Sequence, residues 1–146
     1  MDAKGSFQEV KYLEHVQLQT NINYPMRGAL QIYLESPAGT RVQLLSSRKL
    51  DKSDKGFVNW IFMSVMTWGE LAEGVWVLTV LDMVGPEGNY GNIGETTLIL
   101  YGTQQIPPHM KDGPRMYDYN YNRIHNGIHA SRSASNMYRN HNSYYL

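Results

Sequence analysis

The side chains best able to do chemistry in this 146-residue chain are five histidines, a few carboxylates and one glycine-rich segment. None of them falls into a pattern that a reaction needs. His15 is the only histidine before residue 104, and it stands beside Val16 in a stretch of alternating polarity, the place of a structural histidine rather than a general base. Nucleophilic catalysis needs a nucleophile touching a base that a third group orients. The chain has no cysteine and no Gly-x-Ser-x-Gly elbow from which to build one. Glu70 and Glu73 invite reading as an acid pair, but their polar loop sets no separation between them, so solvated carboxylates are expected. Asp51 and Asp54, followed by Gly56, resemble a calcium loop only until the EF-hand spacing is applied, which would put ligands at Lys55 and Phe62. A solvated loop is the better reading. His125 and His129 have the spacing of helical metal ligands, yet Gly127 lies between them and nothing signals a helix. Asn89-Tyr90-Gly91-Asn92-Ile93-Gly94 lacks the lysine and the strand-to-helix setting of a phosphate loop and reads as a turn. No catalytic, cofactor-binding or metal residue is assigned, and the chain reads as a non-catalytic module.

Charge and composition narrow the partners. Thirteen basic and thirteen acidic residues cancel, so the chain as a whole has no field to draw nucleic acid or an anionic membrane. The basic residues Lys111, Arg115, Arg123, Arg132 and Arg139 nevertheless gather in the last part of the chain, among most of its histidines and many tyrosines. Interleaved Arg and Tyr can stack on RNA, but so balanced a chain gives little reason to expect it. The opening residues MDAKGSFQEV contain no apolar core of a signal peptide, and no run approaches the roughly 18 apolar residues of a membrane-spanning helix.

Any surface of this module must be positioned by strands. Val16, Leu18, Thr20, Ile22 and Tyr24 share one parity and Gln17, Gln19, Asn21 and Asn23 the other, which is the period of a half-buried strand. Pro25 ends it, and Arg27-Gly28 supplies a turn. Strands follow at residues 30–34 and 41–45 around the turn Ser36-Pro37-Ala38-Gly39, and another at 95–101. Between them lies the stretch from Gly56 to Asp82, which holds Trp60, Trp68 and Trp76 in two apolar runs joined by a polar loop. About seven or eight strands without a βαβ rhythm predict an all-β antiparallel sandwich or jelly roll over residues 10–103. Residues 1–9 are expected to be flexible. Residues 104–146 have too few periodic aliphatics to offset their ordering entropy and are expected to form a disordered tail.

The order of short motifs along these strands carries more than any one of them. Leu13-Glu14-His15-Val16, Arg27-Gly28-x-Leu30, Ser36-Pro37-x-Gly39-Thr40, Gly56-Phe57-x-Asn59-Trp60-x-Phe62-Met63, Thr67-Trp68-Gly69-Glu70, Gly74-x-Trp76-x-Leu78 and Leu98-x-Leu100-Tyr101-Gly102-Thr103 follow one another. Together they resemble the P domain, or Homo B domain, of the kexin/furin-like proprotein convertases. Pro108-His109-Met110-Lys111 and the Pro-Arg-x-Tyr stretch at 114–117 make the likeness closest to the neuroendocrine convertase 1 branch. The chain departs from the family at Met26-Arg27-Gly28-Ala29-Leu30, where an Arg-Gly-Asp tripeptide is common, so roles attached to that tripeptide do not carry over. The resemblance implies an eight-stranded, galactose-binding-domain-like jelly roll that packs on a subtilisin-like catalytic domain of the same polypeptide and tunes its calcium and pH dependence. It also implies that calcium belongs to that catalytic domain, that no cofactor belongs to this one, and that the parent is a serine endopeptidase of the secretory pathway.

Three tryptophans in so small a sandwich are more than a core usually encloses, so one is expected on a docking face. Trp68, in the loop, is the candidate, with a cap over the end of the sandwich as the equal alternative for it. Trp60, Phe62, Trp76, Leu78, Leu98 and Leu100 are expected in the core, because they alternate with polar or small neighbours. A carbohydrate-binding jelly roll is the alternative reading, and it requires an exposed aromatic beside Asn, Asp or Arg at one end of the sandwich.

Overall fold

Strands form where apolar and polar side chains alternate. A computed structural model describes residues 9–83, 89–110, 113–115 and the backbone of 141–145. Within these residues the strands are β1 (Tyr12–Asn23), β2 (Leu30–Glu35), β3 (Arg41–Leu45), β4 (Phe57–Ser64), β5 (Val77–Asp82), β6 (Asn92–Thr103) and β7 (His141–Tyr145). They make two antiparallel sheets, ordered β4-β1-β6 and β3-β2-β5-β7. Inward residues of both sheets, among them Leu18, Ile22, Leu30, Ile32, Phe62 and Leu78, form one buried cluster. Leu13, Val16, Leu34, Ala72 and Trp76 form a second. Burying a side chain of this size contributes about 1.5–3 kcal/mol, so these two clusters hold the sheets face to face as a β-sandwich.

The strands expected from alternation are present with extended ends, but the count differs from eight: the described residues contain seven strands, six of them before residue 104. The seventh corrects part of the expected disordered tail. Val77, Leu78, Thr79, Val80 and Leu81 pair with Tyr145, Tyr144, Ser143, Asn142 and His141. Without β7, β5 would be an edge strand with a row of unpaired N–H and C=O groups, and such an edge attracts a strand even from a polar segment. Residues 1–8, residues 84–88 of the turn-rich excursion, and the tail residues 116–140 with His125 and His129 lie outside the described residues.

After Pro25 the chain makes a short 3-10 turn, Arg27–Ala29, against the loop between β3 and β4. A Cβ on Gly28 would lie 2.1 Å from the Asp51 carbonyl oxygen and 2.4 Å from that of Arg48, so glycine alone allows this approach. The Arg48 N–H donates to the Gly28 carbonyl at 2.6 Å. Ala29 is buried in the first cluster, so this turn is packed into the domain.

Asp51 joins the same contact. Its Oδ2 lies 2.9 Å from Arg27 Nε and 3.1 Å from Arg48 Nη2, and its Oδ1 accepts from the Ser53 N–H at 3.2 Å. The carboxylate thus serves two guanidinium groups. The Arg27 hydrogen bond, with those from Arg48 and Ser53, holds its pKa below the ordinary carboxylate range despite partial desolvation. A depressed folded-state pKa gives stability that is complete above the unfolded value, about 3.9, and is lost as pH falls through the lower folded value. The stability difference between wild type and Asp51→Asn is therefore expected to stay level from about pH 5 to 7 and to shrink below about pH 4. Denaturant titrations across that range check it; a difference that grows toward acid would contradict the pairing.

Candidate docking face

β4 is an edge strand of its sheet, and its apolar side chains are not all turned inward. Phe62 pairs across to Leu18 and is buried, while Ile61 and Met63, opposite Gln19 and Gln17, are more than half exposed. Beyond β4 the chain continues through Val65, Met66 and Trp68, all about half exposed, before returning to the start of β1. There the Gly69 N–H donates to the Leu13 carbonyl at 2.7 Å, and the Leu13 N–H to the Glu70 carbonyl at 2.9 Å. One apolar run therefore follows the β4 edge from the middle of β1 to its beginning. Consecutive exposed hydrophobics of this size mark an interaction surface.

The loop bearing Trp68 is held rigidly from beneath. Glu70 is fully buried, 0% exposed, and its carboxyl accepts hydrogen bonds from Ser36 Oγ at 2.6 Å and from Thr40 Oγ1. Ser36 Oγ in turn accepts from the Thr40 N–H at 3.2 Å. Among the described residues no Lys or Arg pairs with Glu70. The β2–β3 turn and the loop after β4 are thus joined by a buried carboxyl and two hydroxyls. On the loop's other side the Arg115 N–H donates to the Gly69 carbonyl at 2.7 Å, and Arg115 Nη1 to the Met66 carbonyl at 3.0 Å. Further along the loop, Trp76 is buried, with Nε1 donating to the Ala72 carbonyl at 3.1 Å.

The residues singled out by sequence take the following places. Trp68 is 47% exposed on the loop. Phe62, Trp76 and Leu78 are buried, and Leu98 and Leu100 are half-buried against the two clusters. Trp60, expected in the core, is 48% exposed. It keeps the inward parity, opposite buried Thr20 and in step with Phe62, but it lies on the edge strand beside a bulge: Thr20 pairs with Trp60 and Ile22 with Phe57, so Val58 and Asn59 stand opposite Asn21 alone. Asn59 takes φ 47° there, and its amide and side chain bond to the Asn21 side chain at 2.8 and 3.2 Å. The extra residue resets the alternation so that Phe57, three residues before Trp60, turns to the same face, and the Trp60 ring packs against Phe57 and Phe62 at the sheet edge.

Glu70 and Glu73 are not a pair, since Glu73 is exposed. His15 stacks on Tyr101 with ring centroids 4.2 Å apart. No group of three or more metal-ligating side chains occurs among the described residues, and no described helix is long and apolar enough to cross a membrane. What this surface can do is bury apolar area against a partner.

Residues 13–100 match the family model of the proprotein convertase P-domain. The chain is 52% identical over 110 residues to proprotein convertase subtilisin/kexin type 6 of Homo sapiens, covering 73% of the chain and 11% of that protein. It is 44% identical over 119 residues to type 5 of Rattus norvegicus, covering 79% and 7%. To neuroendocrine convertase 2 of Caenorhabditis elegans it is 46% identical over 104 residues, covering 70% and 16%. The chain therefore spans between 7% and 16% of the length of these three relatives. Among solved structures, the Aeromonas sobria serine protease in complex with its chaperone aligns at TM-score 0.47 and 26% identity, over 68% of this chain and 19% of that one.

Proposed function

The chain belongs to the proprotein convertase P-domain family, a non-catalytic domain, and from that premise we propose that it packs on the subtilisin-like catalytic domain of the same polypeptide, stabilising and tuning it. The parent is then a calcium-dependent serine endopeptidase that processes proproteins at paired basic sites in the secretory pathway. Calcium belongs to its catalytic domain, and the eight-stranded jelly roll is the architecture that the family likeness implies. The reading stays at the level of the family: the relatives reported above are types 6 and 5 and neuroendocrine convertase 2, so the particular likeness to neuroendocrine convertase 1 is not carried further.

The observation that supports docking is the apolar run from Ile61 on β4 to Trp68 on the following loop, which a buried carboxyl anchors. A rigid aromatic presented beside exposed aliphatics is the composition of an interface hot spot. The test is to mix this chain with the matching catalytic domain expressed without it, following association and calcium-dependent cleavage of a dibasic peptide. Trp68→Ala is expected to weaken association by about 2 kcal/mol, roughly 30-fold, with the melting temperature of this chain unchanged. No association from a folded wild-type chain would end the proposal, and full association by Trp68→Ala would remove Trp68 from the face.

A further inference from the structure

At the end of the sandwich opposite Trp68 lies a cleft that the docking reading does not use. β1 runs 12 residues from the Trp68 loop to this end, roughly 40 Å at about 3.4 Å per residue. The cleft has a volume of about 310 Å³. Its floor is apolar, from Ile22, Leu30 and Ile93, and its walls carry Asp82, Asn89 and Asn92. A second hollow of about 530 Å³ adjoins it across the segment Asn89 to Asn92 and adds Asn23 and Pro25. Tyr90 borders both and is 87% exposed, the most exposed aromatic ring among the described residues.

The walls are fixed. A Cβ on Gly91 would lie 2.3 Å from the Asn23 carbonyl oxygen and 2.5 Å from the Tyr24 ring, so this glycine lets the 89–92 segment seat directly on the end of β1. The buried Tyr24 hydroxyl donates to Asp82 Oδ2 and orients that carboxylate at the cleft. Burial first, then the Asp82 hydrogen bond and charge, push the Tyr24 pKa well above its ordinary value, so the phenol keeps its proton and the contact persists.

We propose that this cleft binds a neutral saccharide, with Tyr90 stacking on the apolar face of a sugar ring and Asn89, Asn92 and Asp82 taking its hydroxyls. Three features select that chemistry. An exposed aromatic beside amides and a carboxylate matches a pyranose, which has a C–H face and a rim of hydroxyls that donate and accept. Neither hollow is lined by Lys, Arg or His among the described residues, which rejects phosphate, sulfate and acidic sugars, and Asp82 repels them further. The volume is at the lower end of the roughly 300–1,000 Å³ of ligand pockets, sized for one or two sugar rings. Because the cleft and the Trp68 face lie at opposite ends of β1, occupancy of one leaves the other open.

The experiment is a nuclear magnetic resonance titration of the 146-residue chain with methyl α-mannopyranoside, methyl β-galactopyranoside and N-acetylglucosamine, with glucuronate as the acidic control. At least one neutral probe is expected to shift the amides of Asn23, Tyr90 and Asn92 with a Kd on the order of 1–10 mM, glucuronate leaving them in place. Tyr90→Ala is expected to weaken that binding at least tenfold, and its exposure means that the fold tolerates the change. No shift from any neutral probe at about 50 mM, shifts centred on Trp68 instead, or unaltered binding by Tyr90→Ala would each overturn the proposal. None of these outcomes bears on association with a catalytic domain, which the mixing assay reads separately.

Discussion

Replacing Glu70 with alanine is expected to destabilise the domain by about 3–5 kcal/mol, a large part of the 5–15 kcal/mol typical of a folded domain. The carboxyl is fully buried and accepts from Ser36 Oγ and Thr40 Oγ1, whose own residues are 4% and 6% exposed. Alanine leaves two buried hydroxyls without their acceptor, at about 1–3 kcal/mol each, and adds a void where the side chain stood. Glu70→Gln keeps the shape and one acceptor, and a hydroxyl can rotate to meet the amide, so its cost should be about 1–2 kcal/mol. The two variants thus separate the hydrogen bonds from the volume. The loss should also be local first, since Glu70 joins the β2–β3 turn to the loop that carries Trp68 two residues away. Amide exchange at residues 65–71 should rise in Glu70→Ala before exchange in β1 and β6 does. Chemical denaturation measures the total, and a Glu70→Ala protein within about 1 kcal/mol of wild type would show that the hydroxyls find other partners.

How far the fold could be read from sequence follows from the range of the interactions involved. The strands before residue 104 were legible because period-two alternation, Pro25 and the turn residues at 36–39 act over a few neighbours. Trp60 keeps the inward parity that alternation predicts, opposite buried Thr20, yet is half exposed, because β4 is an edge strand and the order of strands in the sheet is a long-range property that local alternation does not carry. Glu70 was read as solvated for the same reason: its partners stand 30 and 34 residues earlier in the chain. A signal was present all the same. Ser36-Pro37-x-Gly39-Thr40 and Thr67-Trp68-Gly69-Glu70 are two of the motifs that carry the family likeness, and the structure joins them through these hydrogen bonds. β7 was missed because a polar segment such as His141–Tyr145 has no pattern of its own; the edge of β5 selects it. The cleft beside Tyr90 was half legible, as a turn without a floor, since Ile22 and Leu30 come to it from other strands.

Trp76→Ala is expected to cost about 3–5 kcal/mol as well, for a reason unlike that at Glu70. Trp76 is 3% exposed and belongs to the cluster with Leu13, Val16, Leu34 and Ala72, which closes the end of the sandwich beneath the Trp68 loop. Truncation removes the largest side chain of that cluster, leaves a cavity between two sheets that cannot close independently, and takes the Nε1 donor from the Ala72 carbonyl. Trp76→Phe retains most of the packing and loses the donor, so about 1–2 kcal/mol is expected. Trp60→Ala supplies the contrast. Its ring is 48% exposed at the bulged edge, and about half the loss of Trp76→Ala is expected in the isolated domain. For a domain of this size, 3–5 kcal/mol lowers the thermal midpoint by more than about 10 °C. Thermal and denaturant unfolding of Trp76→Ala and Trp60→Ala beside wild type test that order of increasing stability. A Trp76→Ala protein that melts like wild type would mean that the second cluster does not hold the sheets together at this end. In that case the Trp68 loop would be held by the Glu70 hydrogen bonds, the Leu13 backbone pairing and Arg115, and Glu70→Ala would remove the one of these that is buried.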